Sequence, residues 1–439
     1  MIRTAAPEGC PRAAAASMKL NFDIPCETRV LPNGLRVVVA PQPGVPIVTV
    51  DVTYDVGSRV EPEGKTGFAH LFEHLMFEGS ENVGKGEHFR LVAEAGGVMN
   101  GTTSEDRTNY FETLPAECLD LALFLEADRM RALVLSDGKL ANQREAVKEE
   151  KRLRVDNQPY APSFEVADAL AYDTFPYHHS VIGSMDDLDR ATLDDALDFY
   201  RRYYAPGNAL LCLAGDVETA DAFARVARAF AAVPPRETPP PFHVEEPPPA
   251  AGRRARVDDL HAALPALHVN AKGPARREAD AFALLYVEKI LAGGESGTLW
   301  RRLVKDEELA LSVSIHFDER RGPSLFRVFA IARAGIPHAA LEDEIRSALA
   351  RLAAEGPAPL EMERARRLLF ADMVRSTQTT QAVAFLLSEY GLYDGQTGLW
   401  RDDFERILSL EAADVRAAAA RVFAPERISA VEIHPSGAR

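Results

Sequence analysis

Between Thr66 and Phe77 the chain reads Thr-Gly-Phe-Ala-His-Leu-Phe-Glu-His-Leu-Met-Phe, which sets two imidazoles and a carboxylate inside an otherwise apolar run. At about 100° per residue, His70, Glu73 and His74 share one helical face, while Phe68, Leu71, Phe72, Leu75, Met76 and Phe77 cover most of the remaining circumference. Such a helix must be buried on nearly every side, so the fold has to wrap it and still give its polar face partners. A metal ion supplies them. His-x-x-Glu-His is the inverted zincin order, in which two neutral imidazoles hold Zn²⁺ and the glutamate acts as base toward a water on the metal. The plainer alternative is a buried helix whose histidines bond to backbone carbonyls and whose glutamate meets an arginine.

A catalytic zinc takes three protein ligands, so a third must come from elsewhere in the chain. On a helix from Lys139 to Arg154, Leu140 and Val147 lie on one flank of an apolar arc and Ala146 and Leu153 on the other, with Gln143 and Glu150 between them. Glu145 and Glu149 point to the opposite, solvated side. A carboxylate inside an apolar face needs a cation, which makes Glu150 the expected third ligand, with an arginine salt bridge as the alternative. Gln143, two turns earlier on the same face, is placed to hydrogen-bond a ligand. The polar stretch Val98–Leu114 reads as two strands with open backbone groups around Asn100, Gly101 and Thr102. A peptide could add there as a further strand, or the pair is an ordinary edge hairpin.

At 439 residues the chain exceeds one ordinary core. The proline-rich stretch from Val233 to Pro249 cannot form a helix or a central strand. It divides the chain into a tail over 1–18, a zinc-binding domain over 19–233, a linker over 234–252 and a second, non-catalytic domain over 253–439. The tail is expected to be disordered, with an organelle-targeting leader as the alternative. The patterning is α+β. Asn33-Gly34 marks a hairpin, Val45–Val56 alternates as a half-buried strand, and Glu87–Glu94 is a helix stopped at Gly96-Gly97. The second half shows a strand over Leu264–Ala271, helices over Asp280–Leu291 and Leu299–Glu308, strands over Leu309–Phe317 and Leu325–Ala332, four helices from Ala339 to Phe423, and a closing strand over Ile428–Ile433. Gly293-Gly294 lacks the lysine and threonine of a phosphate loop and reads as a helix stop. A formal charge of -16 argues against nucleic-acid or anionic-membrane partners, and no apolar run is long enough to cross a bilayer. Cys10, Cys26, Cys118 and Cys212 are scattered without a paired motif, which fits a reducing, cytoplasmic location. His178 and His179 have no ligand spacing to the motif and read as structural.

Together these residues resemble the M16 metallopeptidases, the group containing pitrilysin, insulin-degrading enzyme and the mitochondrial processing peptidase. The resemblance rests on His70-Leu-Phe-Glu73-His74, on Glu150 within Gln143-Arg-Glu-Ala-Val-Lys-Glu-Glu150, on Gly96-Gly97 with Asn100-Gly-Thr and Thr108-Asn-Tyr110, and on Phe199–Ala209 and Leu213-Ala-Gly-Asp216. It implies two related domains, each a mainly antiparallel sheet covered by helices, forming half of a clam-shaped chamber. It also implies zinc held by His70, His74 and Glu150, Glu73 as general base, and an edge strand at Asn100–Thr102 that holds the substrate backbone. Gln143 departs from the pattern, since many members carry a second glutamate there. Members whose second half completes the site carry an arginine and a tyrosine where this chain has Val304 and Leu311. The resemblance therefore implies a zinc-bearing endopeptidase subunit whose homologous partner supplies that pair, or else a non-catalytic structural or peptide-binding subunit of a larger complex.

Overall fold

The structure, a computed structural model, describes Met18 and residues 20–247 and 251–437. Apart from Met18, the expected tail lies outside the described residues, as do Cys10 and residues 248–250 of the expected linker.

Two mixed but mainly antiparallel sheets organise the chain. The first contains β1 (Glu27–Val30), β2 (Arg36–Pro41), β3 (Ile47–Tyr54), β4 (Val98–Thr103), β5 (Thr108–Pro115) and β6 (Ala209–Gly215), in the order β1-β2-β6-β3-β5-β4. Only β2 and β6 run parallel. The β1–β2 hairpin turns at Asn33-Gly34, where Gly34 takes a φ of 93° and the Asn33 side chain accepts from the Leu35 amide at 3.2 Å. Alternate residues serve opposite faces. Val37, Val39, Val48, Val50 and Leu211 pack with α1 (Phe68–Leu75), α3 (Leu119–Ala132) and the helices Leu193–Tyr203 and Thr219–Ala229, and α2 (Glu87–Glu94) lies beside β4. Val38, Ala40, Leu210 and Cys212 face the other way.

That second face is covered by a helix from the far half of the chain. Thr380–Tyr393 lies on β3 and β6 through Val383, Ala384 and Leu387. The expectation of a half-buried β3 is thereby corrected, because Thr49, Asp51 and Thr53 are buried too. Their polar groups survive burial by pairing: Thr49 Oγ1 meets Thr380 Oγ1 at 2.8 Å, and Asp51 accepts from Ser388 at 2.5 Å and from Thr53 and Asn109 at 2.8 Å. Alternation in the sequence reports polarity, and here the polar side meets Thr380 and Ser388 instead of water.

The second sheet contains β7 (Arg254–Asp259), β8 (Ala266–Ala275), β9 (Ala310–Asp318), β10 (Pro323–Ala332) and β11 (Ile428–Pro435), in the order β7-β11-β8-β10-β9, with only β7 and β11 parallel. Its main core includes Ala279–Ala292, His338–Glu355 and Ala412–Val422. Five helices, not four, lie between His338 and Val422. The expected Leu299–Glu308 helix is a short α-turn continued as a π-helix over Arg301–Asp306. The loan of a helix is reciprocated, since Pro162–Ala171 from the first half packs on this sheet. There Ser163 Oγ lies 2.8 Å from His268 Nε2, and Phe164 sits edge-on to the His268 ring. Burial holds that imidazole down at about 3, so it packs neutral.

A charged seam also joins the halves. The turn between β9 and β10 reaches the turn between β4 and β5. The Arg320 guanidinium bonds to Asp318 at 2.7 Å and Glu105 at 3.0 Å and stacks over Tyr172 and Tyr177. The Arg321 amide donates to Asp106 at 2.9 Å and its guanidinium to Asp55 at 2.6 Å. Because Arg320 is buried among the half-buried carboxylates of Glu105, Asp168 and Asp318, removing it leaves that cluster short of a cation. Arg320→Ala is expected to cost about 3–5 kcal/mol, read as a lowered urea midpoint. Arg201→Ala, which removes an exposed pair with Asp198, is expected to change stability by less than about 0.5 kcal/mol.

Candidate metal centre

The start of α1 is held by three neighbours. Gly67 caps the helix at a φ of 82°, and a Cβ there would lie 2.4 Å from the Ile182 carbonyl oxygen. The buried Glu61 carboxylate accepts from the amides of Gly67 at 2.9 Å and Ala69 at 2.6 Å, satisfying donors that open the helix. Thr66 bonds Asp187 through its amide at 3.0 Å and its hydroxyl at 2.6 Å. With Phe68, Leu71, Phe72 and Leu75 buried around it, the helix presents His70, Glu73 and His74 along one cleft.

Glu150 enters that cleft from α4 (Asp137–Lys151), whose first turn is capped by Ser136 and whose Leu140 and Val147 are buried in the same core as Leu71 and Leu75. The expected apolar arc is narrower than its sequence pattern, for Ala146 is exposed and Leu153 is 57% exposed. Leu153 falls in a π-helical continuation over Arg152–Asp156, which turns it away from the core. Glu145 and Glu149 are exposed.

Glu150 Oε2 lies 3.3 Å from His74 Nε2 and 3.7 Å from His70 Nε2, with the two rings 4.9 Å apart. Ligand atoms on a tetrahedral zinc with bonds of about 2.0–2.1 Å stand roughly 3.3–3.4 Å apart; both Glu150–histidine separations are close to that, and the three atoms lie within 4.8 Å of one another, so the donor set suits the ion. The charge states fit as well. Burial, and then the neighbouring His74, push the His70 imidazole down to about 4, leaving it neutral with a lone pair. Arg154 takes the other Glu150 oxygen at 2.8 Å but is 77% exposed, so the salt-bridge alternative accounts for one carboxylate oxygen only. Gln143 joins the cluster from behind. Its Oε1 is 3.3 Å from His74 Nδ1 and its amide nitrogen donates to Glu78 at 2.6 Å, an arrangement that orients Gln143 as acceptor and leaves His74 Nε2 facing Glu150.

Glu73 sits in the wall between α1 and β4. Thr103 Oγ1 donates to its Oε2 at 2.5 Å, and burial raises its pKa above the usual carboxylate range. Gly101 permits the contact, since a Cβ there would come within 3.1 Å of Glu73 Cγ and 3.2 Å of the Phe77 ring. Asn100, Gly101 and Thr102 line the same cleft, whose volume is about 580 Å³. Asn100 is exposed, whereas the Thr102 hydroxyl is taken by Asn109 at 2.5 Å. The open feature is therefore the outer backbone edge of β4, which among the described residues pairs with β5 alone and carries the 66%-exposed Val98. Sequence reasoning missed Thr103. Its parity with Gly101 along β4 was the available signal, because both face α1.

His178 and His179 stay apart from this cluster, with Nδ1 atoms near the carbonyl oxygens of Tyr172 at 2.9 Å and Ser180 at 3.2 Å. Another group of ligand-type side chains, His88, Glu112 and Glu126, is wholly buried and already holds the Arg129 guanidinium, so its cation position is filled. Val304 packs partly buried against the second core, and Leu311 is 53% exposed on β9. Among the described residues, Cys26, Cys118 and Cys212 are unpaired, and no helix is long and apolar enough to cross a membrane.

Residues 36–183 match the family described as Insulinase (Peptidase family M16), and residues 190–369 match the Peptidase M16 inactive domain. The zinc protease PqqE of Helicobacter pylori is 32% identical over 416 residues, covering 93% of each chain. This chain belongs to the M16 peptidase family. A probable mitochondrial-processing peptidase subunit beta of Arabidopsis thaliana is 25% identical over 319 residues, covering 70% of this M16 chain and 60% of its own length. The crystal structure of a protease from Helicobacter pylori superposes with a TM-score of 0.90 at 31% identity, covering 94% of this chain and all of that one. An M16 inactive-domain structure from Pseudomonas fluorescens shares the fold with a TM-score of 0.85 at 19% identity, covering 95% of this chain and 99% of its own. In this M16 chain, His70, Glu73, His74 and Glu150 all fall within the first match, outside the segment that matches the inactive domain.

Gln143→Ala is expected to weaken zinc binding about 10–100-fold, measured by competition with a chelator, while Glu145→Ala on the exposed face leaves it unchanged.

Proposed function

We propose that this chain is a zinc endopeptidase of the M16 family that cuts peptides or unfolded segments, with zinc held by His70, His74 and Glu150 and with Glu73 as general base. The observation that carries the reading is the juxtaposition, in one cleft, of three candidate ligand atoms within 4.8 Å of one another, a carboxyl of raised pKa and an open strand edge. Bound there, zinc would supply Lewis-acid polarisation of a scissile carbonyl and would lower the pKa of water in its open position. Glu73, largely buried and turned by Thr103, is suited to take a proton from the attacking water and return it to the leaving amine. The outer edge of β4 around Asn100, Gly101 and Thr102 would pair with the substrate backbone, which selects extended chains over folded ones.

In this reading, residues 19–233 form the zinc-binding domain, 234–252 a linker and 253–439 a non-catalytic domain. The apolar pair Val304 and Leu311 supports a division of labour in which a homologous M16 subunit supplies an arginine and a tyrosine and closes the chamber. The alternative is a structural or peptide-capturing subunit. It is favoured only by the match of the second half to an inactive domain, and that segment contains none of the four cleft residues.

Glu73→Gln is expected to lower the rate on a quenched fluorescent peptide by at least about 10²-fold while zinc content stays the same. Undiminished cleavage would contradict the assignment of Glu73. The purified chain alone is expected to show little activity, rising when a homologous subunit is added; full Glu73-dependent activity from the chain alone would remove the argument for a partner.

A further inference from the structure

The second half carries a cluster that the peptidase reading does not use. His338 opens the helix His338–Glu355, and Glu432 and His434 stand two residues apart on β11, so their side chains leave the same face of the strand. One nitrogen from each histidine and one oxygen of Glu432 lie within 4.8 Å of one another. The two rings are 4.4 Å apart, and His434 Nε2 is 3.2 Å from Glu432 Oε2. That last separation is close to the roughly 3.3–3.4 Å between ligands on a tetrahedral ion. All three side chains are half-buried, held by their neighbours yet open to solution on one side.

The surroundings orient the three groups. Glu432 Oε1 bonds to the Arg254 guanidinium at 3.2 Å, which turns Oε2 toward His434. Arg254 is itself neutralised by both oxygens of Glu342 at 2.6 Å. His338 Nε2 donates to the Ile433 carbonyl at 3.0 Å, so its Nδ1 keeps the lone pair. A backbone carbonyl behind one ring nitrogen is the usual support of a metal-binding histidine. We propose that His338, Glu432 and His434 form a second site for a divalent transition metal of the zinc, nickel or copper type, with its remaining positions open to water. Two features weaken it relative to the first centre: Arg254 draws on the carboxylate, and His338 stands at the positive end of its helix. Occupied, the site ties the helix His338–Glu355 to β11, so metal binding there stabilises the second half by mass action.

This proposal does not rest on the peptidase reading, and one experiment separates the two. The full chain is stripped with chelator, dialysed against buffered Zn²⁺ and assayed for bound zinc per chain. The wild type is expected to bind two ions, His338→Ala/His434→Ala one, His70→Ala/His74→Ala one, and the combined variant none. Glu432→Gln is expected to weaken the second binding event about tenfold or more, as lost ligands and their supports do. A wild type that binds a single ion which His338→Ala/His434→Ala keeps, or a His338→Ala/His434→Ala variant that still binds two, overturns the proposal. Retention of two ions by His70→Ala/His74→Ala would instead count against the first centre alone. The urea midpoint of each variant in excess chelator should match the wild type, which separates a lost site from a damaged fold.

Discussion

The approach of β4 to α1 governs this molecule. Glycine at position 101 lets a strand lie against a helix that carries a carboxylate, and Thr103, two residues on, puts a hydroxyl onto that carboxylate. Everything around the cleft serves this contact. The aromatic and aliphatic circumference of α1 is buried so that its one polar face is the face left open. Its first turn is tied to Glu61 and Asp187, and α4 is laid beside it so that Glu150 meets the two imidazoles. A Cβ at position 101 would crowd the Glu73 and Phe77 side chains at 3.1–3.2 Å, so the proposed base would have to shift within the cleft.

The two halves support that cleft jointly. Each lends a helix to the other's sheet, Thr380–Tyr393 to the first and Pro162–Ala171 to the second. The seam of Arg320 and Arg321 grips Glu105 and Asp106 in the turn that joins β4 to β5. The strand edge proposed to hold substrate is therefore anchored at one end by charges from the far half of the chain. A half that carries no cleft residue still contributes to the geometry of the cleft.

Much of this was legible in the sequence, for identifiable reasons. His70, Glu73 and His74 could be grouped because helical spacing is local, and Glu150 and Gln143 because a carboxylate and an amide interrupt an apolar arc. The Asn33-Gly34 hairpin and the glycine stops were legible for the same local reason. What escaped depends on long-range contacts. Thr49, Asp51 and Thr53 read as solvated because nothing nearby in the sequence announces Thr380 and Ser388. β7 escaped because Arg254-Ala-Arg-Val-Asp-Asp is charged, as an outer strand allows. Leu153 was assigned to the core because a regular helix was assumed where a π-helical segment turns it out. Thr103 was in view but ungrouped, since its role appears only when β4 is laid against α1.

The most direct test of this account is a crystal structure of the zinc-loaded Glu73→Gln chain with a peptide, using anomalous scattering at the zinc edge. A peak is expected between His70, His74 and Glu150, with peptide density running as an added strand along the outer edge of β4. The absence of a peak at those three side chains, or a peptide seated away from β4, would contradict it.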